Sequence, residues 1–180
     1  MNYLTVINKY YPAGSLCRGI FLRHSRQVTD KALNIARDHR LDLQYDIIET
    51  AAMLHDIGIF LTDAKDIDCH GTEPYIRHGI LGAELLREEG FDEMFARVAE
   101  RHTGAGITNE DIIRQGLPIP PGNYCPETLL EKLICYADKF FSKSGNMEEK
   151  SIEHIRHSLS RFTPDTLERF DSMHRMFSAS

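Results

Sequence analysis

A chain of 180 residues, 42% of them apolar, can bury one sizeable core and is short for two ordinary domains. Its 27 acidic residues outnumber 21 basic ones, leaving a net charge of −6 with no basic cluster, which argues against a dedicated nucleic-acid surface. No stretch approaches the ~18 uninterrupted apolar residues of a membrane span, and the first residues lack a leader's basic-then-apolar pattern, so a soluble cytoplasmic protein is expected.

The apolar positions recur mostly at helical spacing, and no strand pattern stands out, so the expected fold is all-α. A short amphipathic helix spans Met1 to Tyr11 and stops at Pro12 and Gly14. A second runs from Ile20 to His39, and a third from Tyr45 to Leu54, ending at Asp56-Ile57-Gly58 with Gly58 as the stop. Leu61 to Thr72 is rich in Asp and reads as a loop. Glu73-Pro74 then opens a helix that lasts to Gly90. Asp92 caps a helix to about His102, and Asn109 caps a short one to about Gln115. The proline-rich stretch from Leu117 to Pro126 has no regular structure. Glu127 to Phe141 is helical, Ser144-Gly145-Asn146 breaks it, and two helices follow at about Glu148 to Arg161 and Pro164 to Phe177. Their expected role is packing over the bundle. Cys17, Cys69, Cys125 and Cys135 form no CxxC pair, so reduced thiols are the simpler reading.

A His-Asp dipeptide carries little information alone, since nine His in a chain of this composition give about 0.65 such pairs by chance. Its company carries more. His24 lies in the second helix, His55-Asp56 ends the third, His78 lies in the next, His102 ends the one after, and Asp138 sits within the apolar run Ile134-Cys135-Tyr136-Ala137. An ionised Asp on an apolar helix face costs several kcal/mol unless it is paired or bound to metal. Lys132 and Lys139 are near Asp138 in sequence, but neither has to face it. His and carboxylate together suit iron or manganese, and also zinc, cobalt or nickel, and disfavour calcium.

His24, then His55-Asp56, then Asp138 resembles the pattern of the HD phosphohydrolase superfamily, and His55-Asp56-Ile57-Gly58 is similar to its HDIG variant. Arg77-His78-Gly79 through Leu86, and Arg101-His102-Thr103-Gly104-Ala105-Gly106-Ile107-Thr108, look like the small HDIG-domain proteins of bacteria and archaea. The resemblance covers roughly residues 18 to 143 and takes the motifs in order. It implies an HD-domain helical bundle over residues 1–180, with two extra C-terminal helices. It implies that His24, His55, Asp56 and Asp138 bind one divalent ion. It further implies that His78 and His102 bind a second, with Asp56 as the bridge and the key catalytic group.

Two ions about 3.5–4 Å apart can hold a bridging hydroxide and clamp phosphoryl oxygens, so no Ser or Cys nucleophile is needed. The expected activity is hydrolysis of a small phosphate ester, a nucleotide or related metabolite. Arg23, Arg77, Arg101 and Lys139 each neighbour an expected ligand and, with Thr103, are candidates to hold the phosphate. Neighbouring positions on a helix point about a quarter-turn apart, so only some of them can face the site. Many HDIG relatives carry Lys directly after the Gly, where this chain has Ile59, so the grip on substrate comes from elsewhere or the substrate differs. His70, in the Asp-rich loop, is a candidate lid residue, while His39, His154, His157 and His174 read as solvated or structural. Two rival readings keep the same residues: a mixed-valence di-iron oxygenase, and a non-catalytic ligand-binding module. Neither nucleic acid nor membrane is an expected partner, and a homo-oligomer is compatible with the sequence.

Overall fold

In a computed structural model, which describes residues 2–178, the chain folds into α-helices with one minimal sheet. The helices are α1 (Tyr3–Tyr10), α2 (Leu16–Asp38), α3 (Tyr45–Leu54), α4 (His78–Glu88), α5 (Glu93–Arg101), α6 (Asn109–Gln115), α7 (Leu129–Asp138), α8 (Ile152–Leu159) and α9 (Pro164–Phe177). The expected start of the first helix at Met1 lies outside the described residues.

The longest helix, α2, begins four residues before the expected Ile20. The Ser15 side chain accepts a hydrogen bond from the Arg18 amide, which satisfies one of the free donors of the first turn. Along its buried face run Phe21, His24, Val28, Ala32, Ile35 and Ala36. Phe21 belongs to an apolar cluster with Ile7, Met53, Leu54, Ile57 and Leu86, from α1, α3, the turn after α3, and α4. Val28 and Ala32 belong to a second cluster with Ile48, Leu133, Ile134, Ile155 and Phe170, from α3, α7, α8 and α9. His24 therefore enters the protein between two cores.

Three local expectations change. The Asp-rich stretch is an ordered hairpin rather than a loop: β1 (Asp63–Ala64) pairs antiparallel with β2 (Cys69–His70), Asp63 opposite His70 and Ala64 opposite Cys69. Two-residue strands carry too little alternation to be seen in a sequence. After Pro74, Tyr75–Arg77 make a 3₁₀ turn, and the α-helix begins only at His78. The cap of α6 is Thr108, not Asn109. Its side chain accepts from the Asp111 amide while the Asp111 carboxylate accepts from the Thr108 amide. Thr128 and Glu131 close α7 in the same reciprocal way, so that helix starts two residues after the expected Glu127.

All four cysteines are free thiols, but Cys17 on α2 and Cys69 on β2 are side by side, with sulfurs 3.1 Å apart. Among the described residues no helix is long and apolar enough to cross a membrane.

Candidate metal centre

The end of α3 is where the site begins. The chain continues from Leu54 in tight turns, so His55 and Asp56 leave the helix pointing into the interior, and both are fully buried. From α1 side, the Tyr11 hydroxyl donates to the Ile57 carbonyl at 2.9 Å and pins this turn. Gly58 is not the left-handed helix stop expected of it; its backbone is right-handed (φ −86°, ψ −1°). Glycine is required there for closeness. A Cβ at Gly58 would stand 2.3 Å from the His78 carbonyl and 2.5 Å from the Gly82 amide, so the missing side chain lets α4 lie against the motif. Gly79 does the same one layer on, where a Cβ would fall 2.6 Å from the Ala99 carbonyl of α5. That carbonyl accepts the hydrogen bond of His102 Nδ1 at 2.7 Å.

His24, His55, Asp56, His78, His102 and Asp138 converge, and all are buried. Asp56 stands between two groups. Its Oδ2 lies 3.1 Å from both His24 Nε2 and His55 Nε2. Its Oδ1 lies 3.4 Å from His78 Nε2 and 3.2 Å from His102 Nε2. Asp138 Oδ1 completes the first group, 3.0 Å from His24 Nε2. Two sets thus have the composition and spacing to hold a metal: His24, His55, Asp56 and Asp138, and Asp56, His78 and His102.

The donors fit a cation on chemical grounds. His55, His78 and His102 each direct Nδ1 at the carbonyl three residues back, those of Ala52, Tyr75 and Ala99. A carbonyl only accepts, so the proton sits on Nδ1 and the Nε2 lone pair faces inward. His78 and His102 then present Nε2 atoms to each other at 3.1 Å, and His24 and His55 at 3.2 Å. Nitrogen and oxygen ligands bound at about 2.0–2.2 Å stand roughly 3.0–3.5 Å from one another, which is the spacing seen. Both carboxylate oxygens of Asp56 are buried with no partner in hydrogen-bond geometry, and Lys143 Nζ, 2.7 Å from Oδ2, is the one ammonium near them among the described residues. Leaving such an anion in an apolar interior is expensive unless a cation meets it.

Lysines and histidines balance the two buried carboxylates. Burial pushes Asp56 up, but His55 and Lys143 outweigh it and hold the carboxyl well below its usual range. Burial likewise opposes ionisation of Asp138, and Lys139 and His24 reverse the balance. His55, between both carboxylates, is raised to about 9 despite its burial, whereas burial drives His78 down to about 3.

Over Asp138 opens a cavity of about 540 Å³, within the range of small-molecule sites. The hairpin supplies Asp63 and Asp66, the turn before α4 supplies Tyr75, and the segment after α7 supplies Lys139, Lys143 and Lys150. Of the five expected phosphate contacts, only Lys139 lines it, and its Nζ is 2.7 Å from Asp138 Oδ2, so this lysine does face the aspartate. Arg23 is exposed and outside the cavity lining. Arg77 pairs with Glu73, and Arg101 is taken by the Cys125 carbonyl (2.9 Å) and Glu127 (3.0 Å). Thr103 lines a separate, smaller apolar pocket with Ile76, Ile107 and Phe162. His70 is exposed and bonded to Asp68 at 2.9 Å, so the hairpin borders the cavity through other residues.

Lys143 and Lys150 were not among the expected contacts. Lys143 Nζ lies 2.7 Å from Asp56 Oδ2 and 5.9 Å from the Tyr75 ring centroid. Tyr75 in turn stacks on His78, with ring centroids 4.6 Å apart. A lysine therefore reaches the centre from the far side of the sequence, although Ile59 stands where the family resemblance led one to be expected. The C-terminal helices also do more than pack, since Ile155, Ser158 and Leu159 of α8 form part of the cavity wall.

The chain belongs to the HD domain family, whose model matches residues 21–142. An uncharacterized protein of Methanocaldococcus jannaschii is 38% identical over 137 residues, 74% of this chain and 73% of that one. Two proteins named tRNA (cytidine(56)-2′-O)-methyltransferase are also similar. The one from Thermoplasma volcanium is 31% identical over 157 residues, 87% of this chain and 41% of that one. The one from Picrophilus torridus is 37% identical over 123 residues, 68% of this chain and 32% of that one. This chain thus spans well under half of either methyltransferase. Among solved structures, the HD domain of the L. monocytogenes phosphodiesterase PgpH shares the fold, with a TM-score of 0.56 at 16% identity over 95% of this chain and 94% of that one.

Proposed function

We propose that the chain is a metal-dependent phosphohydrolase that takes a small phosphorylated substrate into the cavity above Asp138. One observation carries this reading: the two oxygens of Asp56 face two different histidine pairs at 3.1–3.4 Å. A structural aspartate needs no such symmetry, and a bridging one does. His24, His55, Asp56 and Asp138 would hold one divalent ion, and His78 and His102 a second through Asp56; iron and manganese suit this donor set best. Such ions supply Lewis acidity toward phosphoryl oxygens and make water nucleophilic near neutral pH.

The chain's own groups do the rest. The carbonyls of Ala52, Tyr75 and Ala99 fix three imidazoles with Nε2 inward, which keeps the centre preorganised. Lys139 and Lys143 bring two ammonium groups to the cavity floor, where a phosphate becomes their partner. Tyr75 walls the cavity beside His78 and limits water at the reacting centre.

The test is a panel of nucleotides, phosphomonoesters and phosphodiesters incubated with protein loaded with Mn²⁺ or anaerobic Fe²⁺. Release of phosphate or of the alcohol from at least one compound, abolished by chelator, is the expected result. No release from any of them by metal-loaded protein overturns the reading.

A further inference from the structure

The cavity wall contains a cation that the proposed reaction does not use. Lys139 and Lys143 each lie 2.7 Å from a carboxylate oxygen of the centre. Lys150 lines the same cavity and, among the described residues, has no carboxylate within ion-pair distance; its Nζ donates only to the Phe141 carbonyl at 3.3 Å. It is partly buried, and Ser142, Ser144 and Ser158 line the cavity with it. Burial pulls its pKa down, and the ammoniums of Lys139 and Lys143 pull the same way, against partial compensation from Asp138. A half-buried ammonium beside two others is an unfavourable arrangement that an anion relieves.

The cavity has room for such an anion. At about 540 Å³ it far exceeds what a single phosphoryl group at the metal centre fills. The chain as a whole carries a charge of −6, and the cavity lining sets Lys139, Lys143 and Lys150 against Asp63, Asp66 and Asp138, with Lys150 the lysine not committed to a carboxylate among the described residues. Lys143, Lys150 and the α8 residues of the wall also lie beyond residues 21–142, the stretch matched by the family model.

We propose that the occupant carries a second anionic group, separate from the phosphoryl group at the centre, and that Lys150 binds it. The substrate class is then a compound with two separate anionic groups, such as a bisphosphorylated metabolite, rather than a simple monoester. The inference narrows the substrate of the phosphohydrolase reading and rests on it for the role of the centre. Lys150 is a specificity-determining residue with no part in bond breaking.

The test uses ligands whose P–C bonds cannot be hydrolysed, so binding is read without turnover. Calorimetric titration of the protein as purified compares α,ω-alkane bisphosphonates of three, four and five carbons with the monophosphonates of the same lengths. At least one bisphosphonate should bind 10-fold or more tighter than its monophosphonate. Lys150→Met should bring the two within about 2-fold and leave the monophosphonate affinity unchanged, while Lys150→Arg keeps the preference. Lys132→Met, which removes the same charge outside the cavity lining, should also keep it. Absence of any preference in the wild type, survival of the preference in a folded Lys150→Met protein, or equal loss in Lys132→Met overturns the inference. If Lys150→Met does not fold, as judged by circular dichroism, Lys150→Gln takes its place under the same criteria. Protein that shows the preference yet hydrolyses nothing in the phosphoester panel refutes the hydrolase reading and leaves the second anion site standing.

Discussion

Lys143 joins the cavity to the shared aspartate of the candidate centre, with its Nζ 2.7 Å from Asp56 Oδ2. The lysine is nearly buried, and its charge has Asp56, Asp138 and the Tyr75 hydroxyl for company. Lys143→Met should leave the helical content unchanged and lower kcat/KM on any substrate found by about 10- to 100-fold, the worth of one hydrogen bond to a charged group. A steady-state assay beside circular dichroism checks both halves. At this scale the sequence was informative where chemistry is concentrated. Six residues of metal-binding type fell near apolar faces, and all six converge. It was silent on Lys143 and Lys150 because the segment after α7 has no periodicity, and an irregular backbone gives no rule for where a side chain points. Arg23, Arg77 and Arg101 are adjacent to candidate ligands in sequence but do not line the cavity: Arg23 is exposed, and the other two are held by glutamates.

Among the elements, two glycines set the distances between helices. Gly58 lets α4 approach the end of α3, and Gly79 lets α4 approach α5, so His78 and His102 meet. Gly58→Ala puts a methyl group 2.3 Å from the His78 carbonyl, a clash with backbone that no rotamer relieves. Overpacking of this kind costs roughly 3 kcal/mol. The variant should melt several degrees lower, and, if it folds, lose metal bound through His78 and His102 before metal bound through His24 and Asp138. Thermal melts and metal analysis of the same preparation check the order. Helix existence was largely readable from apolar spacing, while boundaries moved by a few residues wherever a cap decided them. Thr108 displaced Asn109 because Asp111 stands at the right distance to close the reciprocal cap. Gly58 has the sequence signature of a helix stop because composition cannot separate a glycine needed for its backbone angles from one needed for closeness.

The C-terminal helices are joined to the rest of the molecule by apolar packing, by a Tyr136 hydroxyl–His174 Nδ1 hydrogen bond of 2.9 Å and by a polar knot around Arg169. On α9, Phe170, Met173 and Phe177 pack into the cluster that includes Tyr136 of α7. Arg169 donates to the Ala105 and Gly106 carbonyls at 3.2 and 3.1 Å and to Asp111 Oδ2 at 2.6 Å. The knot therefore secures the turn that follows His102, a role invisible in the sequence because its partners lie 58 to 64 residues apart. Burial opposes ionisation of Asp111, but the Thr108 amide and Arg169 outweigh it and lower the pKa. A carboxyl depressed in the folded state adds stability above its unfolded pKa of about 4, and that stability is lost as pH falls toward the folded value. Asp111→Asn should thus cost about 1–3 kcal/mol at pH 7 and progressively less below pH 4, which denaturant melts at several pH values measure.

The proposed role of this helical arrangement is to hold metal around Asp56. Elemental analysis of protein purified without chelators tests it most directly, with Asp56→Ala alongside and its fold verified by circular dichroism. About two divalent transition ions per chain in the wild type, and essentially none in the variant, is the result expected of a shared carboxylate. A wild-type protein that carries no metal and takes none up, or a folded Asp56→Ala protein that retains its full complement, contradicts the account.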